Sequence, residues 1–131
     1  MSTRANIILH SQAGDIYLYH HHDGYPQGVG VQLQKVMAKL SDHAKREPWS
    51  IVWTANELIK NQCGLNDDEY ELTTGLHGDI EYCYVLNFKA GTLRCYERDY
   101  GESCDRDKVC RRENLCTIPE WDGGKTIYEK D

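Results

Sequence analysis

The stretch Tyr19-His20-His21-His22-Asp23-Gly24-Tyr25-Pro26-Gln27-Gly28-Val29-Gly30 sets three imidazoles and a carboxylate directly before a glycine-rich turn. Imidazole is the side chain most ready to ligate a transition metal or carry a proton near neutral pH. On an extended strand His20 and His22 share one face while His21 points the other way, so the three cannot hold one metal as a continuous strand. A second unit, His77-Gly78-Asp79, repeats the His-x-Asp spacing of His21 and Asp23. Both units read as turns at strand ends. If the two turns meet at one end of a sheet, His21 or His77 could serve as general acid/base with Asp23 or Asp79 orienting it, or the four groups could bind a metal. The structural alternative is that each aspartate caps its turn and each histidine donates to a backbone carbonyl.

Gly24, Gly28 and Gly30 fall between a strand and a helix, where backbone N–H groups can hold a phosphate. On that reading Gly24, Tyr25, Gly28 and Gly30 form a ligand-binding turn. The pattern matches neither the phosphate-loop lysine motif nor the dinucleotide fingerprint, and it contains no Lys or Arg. Glycine and proline also simply permit a sharp reversal. Among the six cysteines, Cys95, Cys104, Cys110 and Cys116 could clamp a structural zinc, but Cys104, Cys110 and Cys116 are spaced evenly by six positions, with Cys95 upstream, whereas two to four residues separate paired zinc ligands. A disulfide in this segment and inert thiols are the other readings; apart from that zinc, no cofactor is expected. Cys83 and Cys95 read as small apolar residues on adjacent strands.

The formal net charge of −6 is unevenly spread. Residues 1–65 carry six Lys/Arg against five Asp/Glu, and residues 66–131 carry nine against sixteen. Asp67, Asp68, Glu69, Glu71, Asp79 and Glu81 occupy residues 67–81 with no Lys or Arg among them. That segment repels a nucleic-acid backbone and attracts a basic partner, so Glu69, Glu71 and Glu81 are candidate protein-binding residues and nucleic acid is not an expected partner. A solvated sheet edge that discourages aggregation would carry the same charges. Neither a signal-peptide core nor a run of about 18 apolar residues occurs, which predicts a soluble, cytoplasmic protein with no membrane partner.

These residues must be positioned by a small number of elements, since 131 residues suit one domain with one core. "ANIILH" and "DIYLYH" read as a hairpin, with Ile16 and Leu18 on one face and Tyr17 and Tyr19 on the other. Pro26 and the glycines predict irregular chain, and a helix follows through "VGVQLQKVMAKLSDHAKR". Val29, Leu33, Val36, Met37, Leu40 and Ala44 form its buried stripe, leaving Gln32, Gln34, Lys35 and Lys39 toward water. A second helix in "PWSIVWTANELIKNQCG" has Ser50 as N-cap, Val52, Trp53, Leu58 and Ile59 as its buried stripe, and Gly64 at its end. "EYELTT", "IEYCYVLNF" and "TLRCYER" predict an antiparallel meander with Ile80, Tyr82, Tyr84, Leu86 and Phe88 facing the helices. Residues 99–118 read as an irregular cysteine-containing lobe, with one more short strand or hairpin near Asp122-Gly123-Gly124. The expectation is a single α+β domain over residues 1–131: a mainly antiparallel sheet of about five strands with two helices packed on one face.

No nucleophile elbow, HExxH or paired CxxC with HxE is present. At "STRANI", "YHHHDGYPQGVG" and "TTGLHGDIEYCYVL…LRCYERD", over about residues 2–98, the chain resembles a group of small proteins of bacteriophages, prophages and plasmids. Those carry a Tyr-x-His-x-Asp-Gly-Tyr-Pro turn, matched here by Tyr19, His21, Asp23, Gly24, Tyr25 and Pro26. They also carry a Leu-His-Gly-Asp-Ile-Glu-Tyr turn, matched by residues 76–82. His20 and His22 fall on variable positions of that pattern, which favours His21 alone over a three-histidine site. The resemblance implies a mobile-element setting in a bacterial cell and supplies no activity. The leading expectation is a non-catalytic accessory protein that binds a host protein, such as a defence component. The rival is an enzyme or sequestering protein for a phosphate-containing nucleotide or small molecule, built on the His/Asp turns.

Overall fold

The computed structural model describes residues 3–21, 24–60, 70–76, 80–97 and 115–116. Strand β1 (Ala5–Ser11) turns back through Gln12 and Ala13 into β2 (Gly14–His20), with Ile7 opposite Leu18 and Ser11 opposite Gly14. Helices α1 (Val31–Ala38), α2 (Asp42–Lys45) and α3 (Ser50–Lys60) follow. Then come β3 (Tyr70–Thr73), β4 (Tyr82–Asn87), β5 (Thr92–Glu97) and β6 (Leu115–Cys116). The six strands form one sheet in the order β3-β2-β1-β4-β5-β6, and every pair is antiparallel except β1 with β4. The fold is α+β with a mixed, mostly antiparallel sheet.

The expected meander is split. β4 and β5 do form a hairpin, but β3 pairs with β2 on the opposite side of the sheet, and β1 takes the place beside β4. The reason lies in β1: Ala5, Ile7, Ile8 and Leu9 are all fully buried, and a strand apolar on both faces belongs at the centre of a sheet. The sixth strand is Leu115–Cys116, inside the segment expected to be irregular; the rest of that lobe and the residues around Asp122 lie outside the described residues.

Alternation places Ala5, Ile7, Leu9, Leu18, Tyr84, Leu86 and Leu93 on the helix side, packed with Leu33, Met37, Ile51 and Leu58. Ile8, Tyr19, Cys83 and Tyr96 form a smaller cluster on the far side. Tyr82, Tyr84, Leu86 and Phe88 join the helix-side core as expected, whereas Ile80 joins the far side. Ile80 precedes β4, whose ladder starts at Tyr82, so the two-residue period does not extend back to it.

Five local expectations are corrected. The glycine-rich turn is helical: Pro26–Gly30 forms one wide π-helical turn that runs into α1. Proline at the helix start suits this geometry, because its missing N–H would have no intrahelical partner there. The first long helix is also interrupted after Ala38, and Ser41 caps α2 by accepting from the Ala44 N–H at 3.1 Å. Gln34 is buried, and Ser50 lies in the first turn of α3, where its hydroxyl donates to the carbonyls of Lys45 and Glu47 at 2.9 and 2.8 Å. The buried side of α3 is Ile51, Thr54, Ala55 and Leu58, with Val52 half exposed; Gly64 lies outside the described residues. No described helix is long and apolar enough to cross a membrane.

Candidate functional site

The register defines two ends of the sheet. At one end the start of β1 stands between the end of β2 and the start of β4, with Ala5 opposite both His20 and Tyr82. Gly24, beyond the end of β2, and Glu81, before the start of β4, are therefore both tied to residues 3 and 4. The Gly24 N–H donates to the Thr3 carbonyl at 2.9 Å, and the Arg4 carbonyl accepts from the N–H groups of Glu81 and Tyr82 at 2.9 and 3.3 Å. The Arg4 N–H in turn donates to Glu81 Oε2 at 2.6 Å. Tyr84 closes the arrangement: its buried hydroxyl donates to the Gly24 carbonyl at 2.6 Å, across 60 positions of chain. Burial disfavours the phenolate and pushes the Tyr84 pKa far above the ordinary tyrosine range, so the hydroxyl stays a donor.

Around this clasp the expected site residues divide. His21 lies at the rim, with Nε2 3.0 Å from Glu71 Oε2 and its ring edge-on to Tyr19 at 4.6 Å. The carboxylate beside it thus comes from Glu71 on β3, a residue expected in a protein-contact surface. Such a pair can fix an imidazole tautomer and move a proton, but here both side chains are substantially exposed. Asp23, His77, Asp79 and Glu69 lie outside the described residues. Glu81 is committed to the Arg4 backbone. His20 is buried with its ring 4.5 Å from that of Tyr70.

Gly24 and Gly30 are buried, Gly28 donates its N–H to the Tyr25 carbonyl at 2.9 Å, and Tyr25 is exposed. A β-carbon at Gly24 would stand 2.8 Å from Ala5 Cβ and 3.0 Å from the Thr3 carbonyl oxygen. Close backbone approach is sufficient reason for glycine there.

Two of the four expected metal ligands meet. Cys95 on β5 faces Cys116 on β6, and their sulfurs are 3.1 Å apart. Cys104 and Cys110 lie outside the described residues, and among the described residues no group of three or more His, Cys, Asp or Glu is placed to hold a metal ion. The thiols differ: burial pushes the Cys95 pKa far up, while the hydrogen bond shared with the Cys95 sulfur holds the half-buried Cys116 below its ordinary value.

The opposite end of the sheet carries a group of residues that pattern reading missed. Lys45 and Arg46 at the end of α2 and Lys89 in the β4–β5 turn line one cleft with Ser11, Gln12 and Phe88. Their signal in the chain is only a Lys-Arg pair and a turn lysine 43 positions on, and the topology alone makes them neighbours. The fold and these two sheet ends define an α+β protein with a mixed sheet, six-stranded among the described residues. Compared with known proteins, the chain matches no family model, no curated protein and no solved structure.

Proposed function

We propose that the protein works without catalysis, by binding another protein along β3, as an accessory factor of a phage or other mobile element directed at a host protein such as a defence component. The observation that carries this reading is Leu72: it lies on the outermost strand of the described sheet and is 69% exposed, next to the exposed Glu71. An apolar side chain on an edge strand is a liability unless it is used, and strand addition uses both the backbone rim and alternate side chains. Acidic Glu71 and Glu69 favour a basic partner. The resemblance of "YHHHDGYP" and "LHGDIEY" to turns of mobile-element proteins supports the setting. Capture from host lysate tests it: Leu72→Asp combined with Glu69→Lys and Glu71→Lys should abolish recovery of the partner, while His21→Ala should leave it. Unaltered capture by the triple variant would remove the basis of this reading.

A second reading, a nucleotide-directed enzyme or sequestering protein, is favoured by the attachment of Gly24 and Glu81, each of which follows a His-x-Asp unit in the chain, to the adjacent residues Thr3 and Arg4. It expects His21→Ala and His77→Ala to abolish turnover or retention of a phosphorylated ligand, with the fold intact by circular dichroism.

A further inference from the structure

We propose that the cleft at the far end of the sheet from Gly24 is a binding site for a small phosphorylated molecule. Ser11, Gln12, Lys45, Arg46, Phe88 and Lys89 line an open cleft of about 400 Å³ there. A second cleft of about 160 Å³ shares Lys45, Arg46, Phe88 and Lys89 with it and is also lined by Asp42 and Gly91. That size lies within the roughly 300–1,000 Å³ usual for small-ligand sites. The walls carry three cations and one carboxylate in a chain whose formal charge is −6. Concentrating positive charge against the net sign of the molecule focuses an attractive field on one spot.

The state of each cation strengthens the case. Lys45 is only 4% exposed, and its described ion pair is with Asp42, 3.5 Å away and itself 93% exposed in its side chain. Solvent screens such a carboxylate, so the buried ammonium is incompletely neutralised and a second anion would lower its cost. Among the described residues neither Arg46 nor Lys89 is in an ion pair, and both are exposed at the cleft mouth. Arg46 provides a planar fork for phosphate oxygens, and the lysines add point charges.

The three side chains also stand on braced backbone. Ser41 caps α2 and the Lys45 N–H donates to the Ser41 carbonyl at 3.0 Å. Asn87 Oδ1 accepts from the N–H groups of Lys89 and Ala90, and Gly91, with φ of 73°, completes the turn in the left-handed region that favours glycine. The Phe88 N–H donates to the His10 carbonyl at 2.9 Å, tying that turn to the end of β1. A fixed backbone keeps the three stems close to the cleft, and the buried Lys45 side chain has the least freedom left to lose on binding. This site is independent of the β3 surface and of the His/Asp turns.

Isothermal titration calorimetry of the full chain with inorganic tripolyphosphate, ATP and adenosine tests the proposal. Tripolyphosphate and ATP should each bind at one site and adenosine should not. Arg46→Gln with Lys89→Gln, both exposed and removable without touching the core, should raise Kd by about tenfold or more. His21→Ala should leave it unchanged. Absence of saturable heat with either polyphosphate, or equal affinity in the double variant, overturns the proposal. So does binding of single-stranded DNA, lost in that variant, without binding of ATP, since the cleft would then be a contact for a nucleic-acid backbone.

Discussion

Gly24 shows how a residue can attract attention for one kind of chemistry and owe its identity to another. Its run of neighbouring glycines suggests a phosphate cradle, yet Thr3 and Ala5 stand so close that a methyl group has no room. That contact joins residues about twenty positions apart, so no local pattern reveals it. Gly24→Ala should destabilise the fold by about 1–3 kcal/mol, the usual range for overpacking. Thermal unfolding measures it, and an unchanged Tm would mean that the β1 end yields freely. The two facing thiols allow a second prediction at this scale. Thiolate is the reacting form, so Cys116, whose pKa is held down by its bond to Cys95, should be alkylated by iodoacetamide at lower pH than a free cysteine. Cys95, with its pKa pushed up by burial, should resist until the chain unfolds. Peptide mass mapping over a pH series checks both, and Cys95→Ala should move the Cys116 profile up toward ordinary thiol behaviour.

Among the elements, strands were more legible than the sides of helices. Ile16 and Leu18 alternate with Tyr17 and Tyr19, and a period of two leaves one choice of face. In α3, Ile51, Val52 and Trp53 are apolar in succession, so rotating the helix by one residue gives an equally plausible stripe. Packing against β1 and β2 selects Ile51 with Ala55 and Leu58 and leaves Val52 51% exposed. Ile51→Ala should therefore cost about 2–4 kcal/mol, while Val52→Ala should stay within about 0.5 kcal/mol. Chemical denaturation of the two variants decides it, and equal losses would mean that α3 is turned the other way. The break after Ala38 leaves no mark on the apolar pattern because Leu40 and Ala44 keep the helical spacing of Val36 and Met37, even though Ser41 is a good helix starter.

For the whole molecule, the α+β class and the helix-covered face followed from periodicity, but the strand order did not. Local pattern records which residues are apolar and is silent on which of several strands becomes the neighbour of another. The order puts β1 between β2 and β4, with hydrogen-bond partners on both sides. Hydrogen exchange followed by mass spectrometry should find the amides of β1 and β4 exchanging last, and those of β3 and β6 well before them. Exchange from β1 as fast as from β3 would contradict this arrangement. The same geometry also bears on biosynthesis. The β1–β2 hairpin can close once residue 20 has left the ribosome, but the second rim of β1 waits for residues 82–87, whose first member is translated 62 codons later. At roughly 5–20 residues per second that interval is about 3–12 s. Throughout it the nascent chain presents Ile7, Ile8 and Leu9 on an open rim, a target for holding chaperones before any partner of the finished protein can meet it.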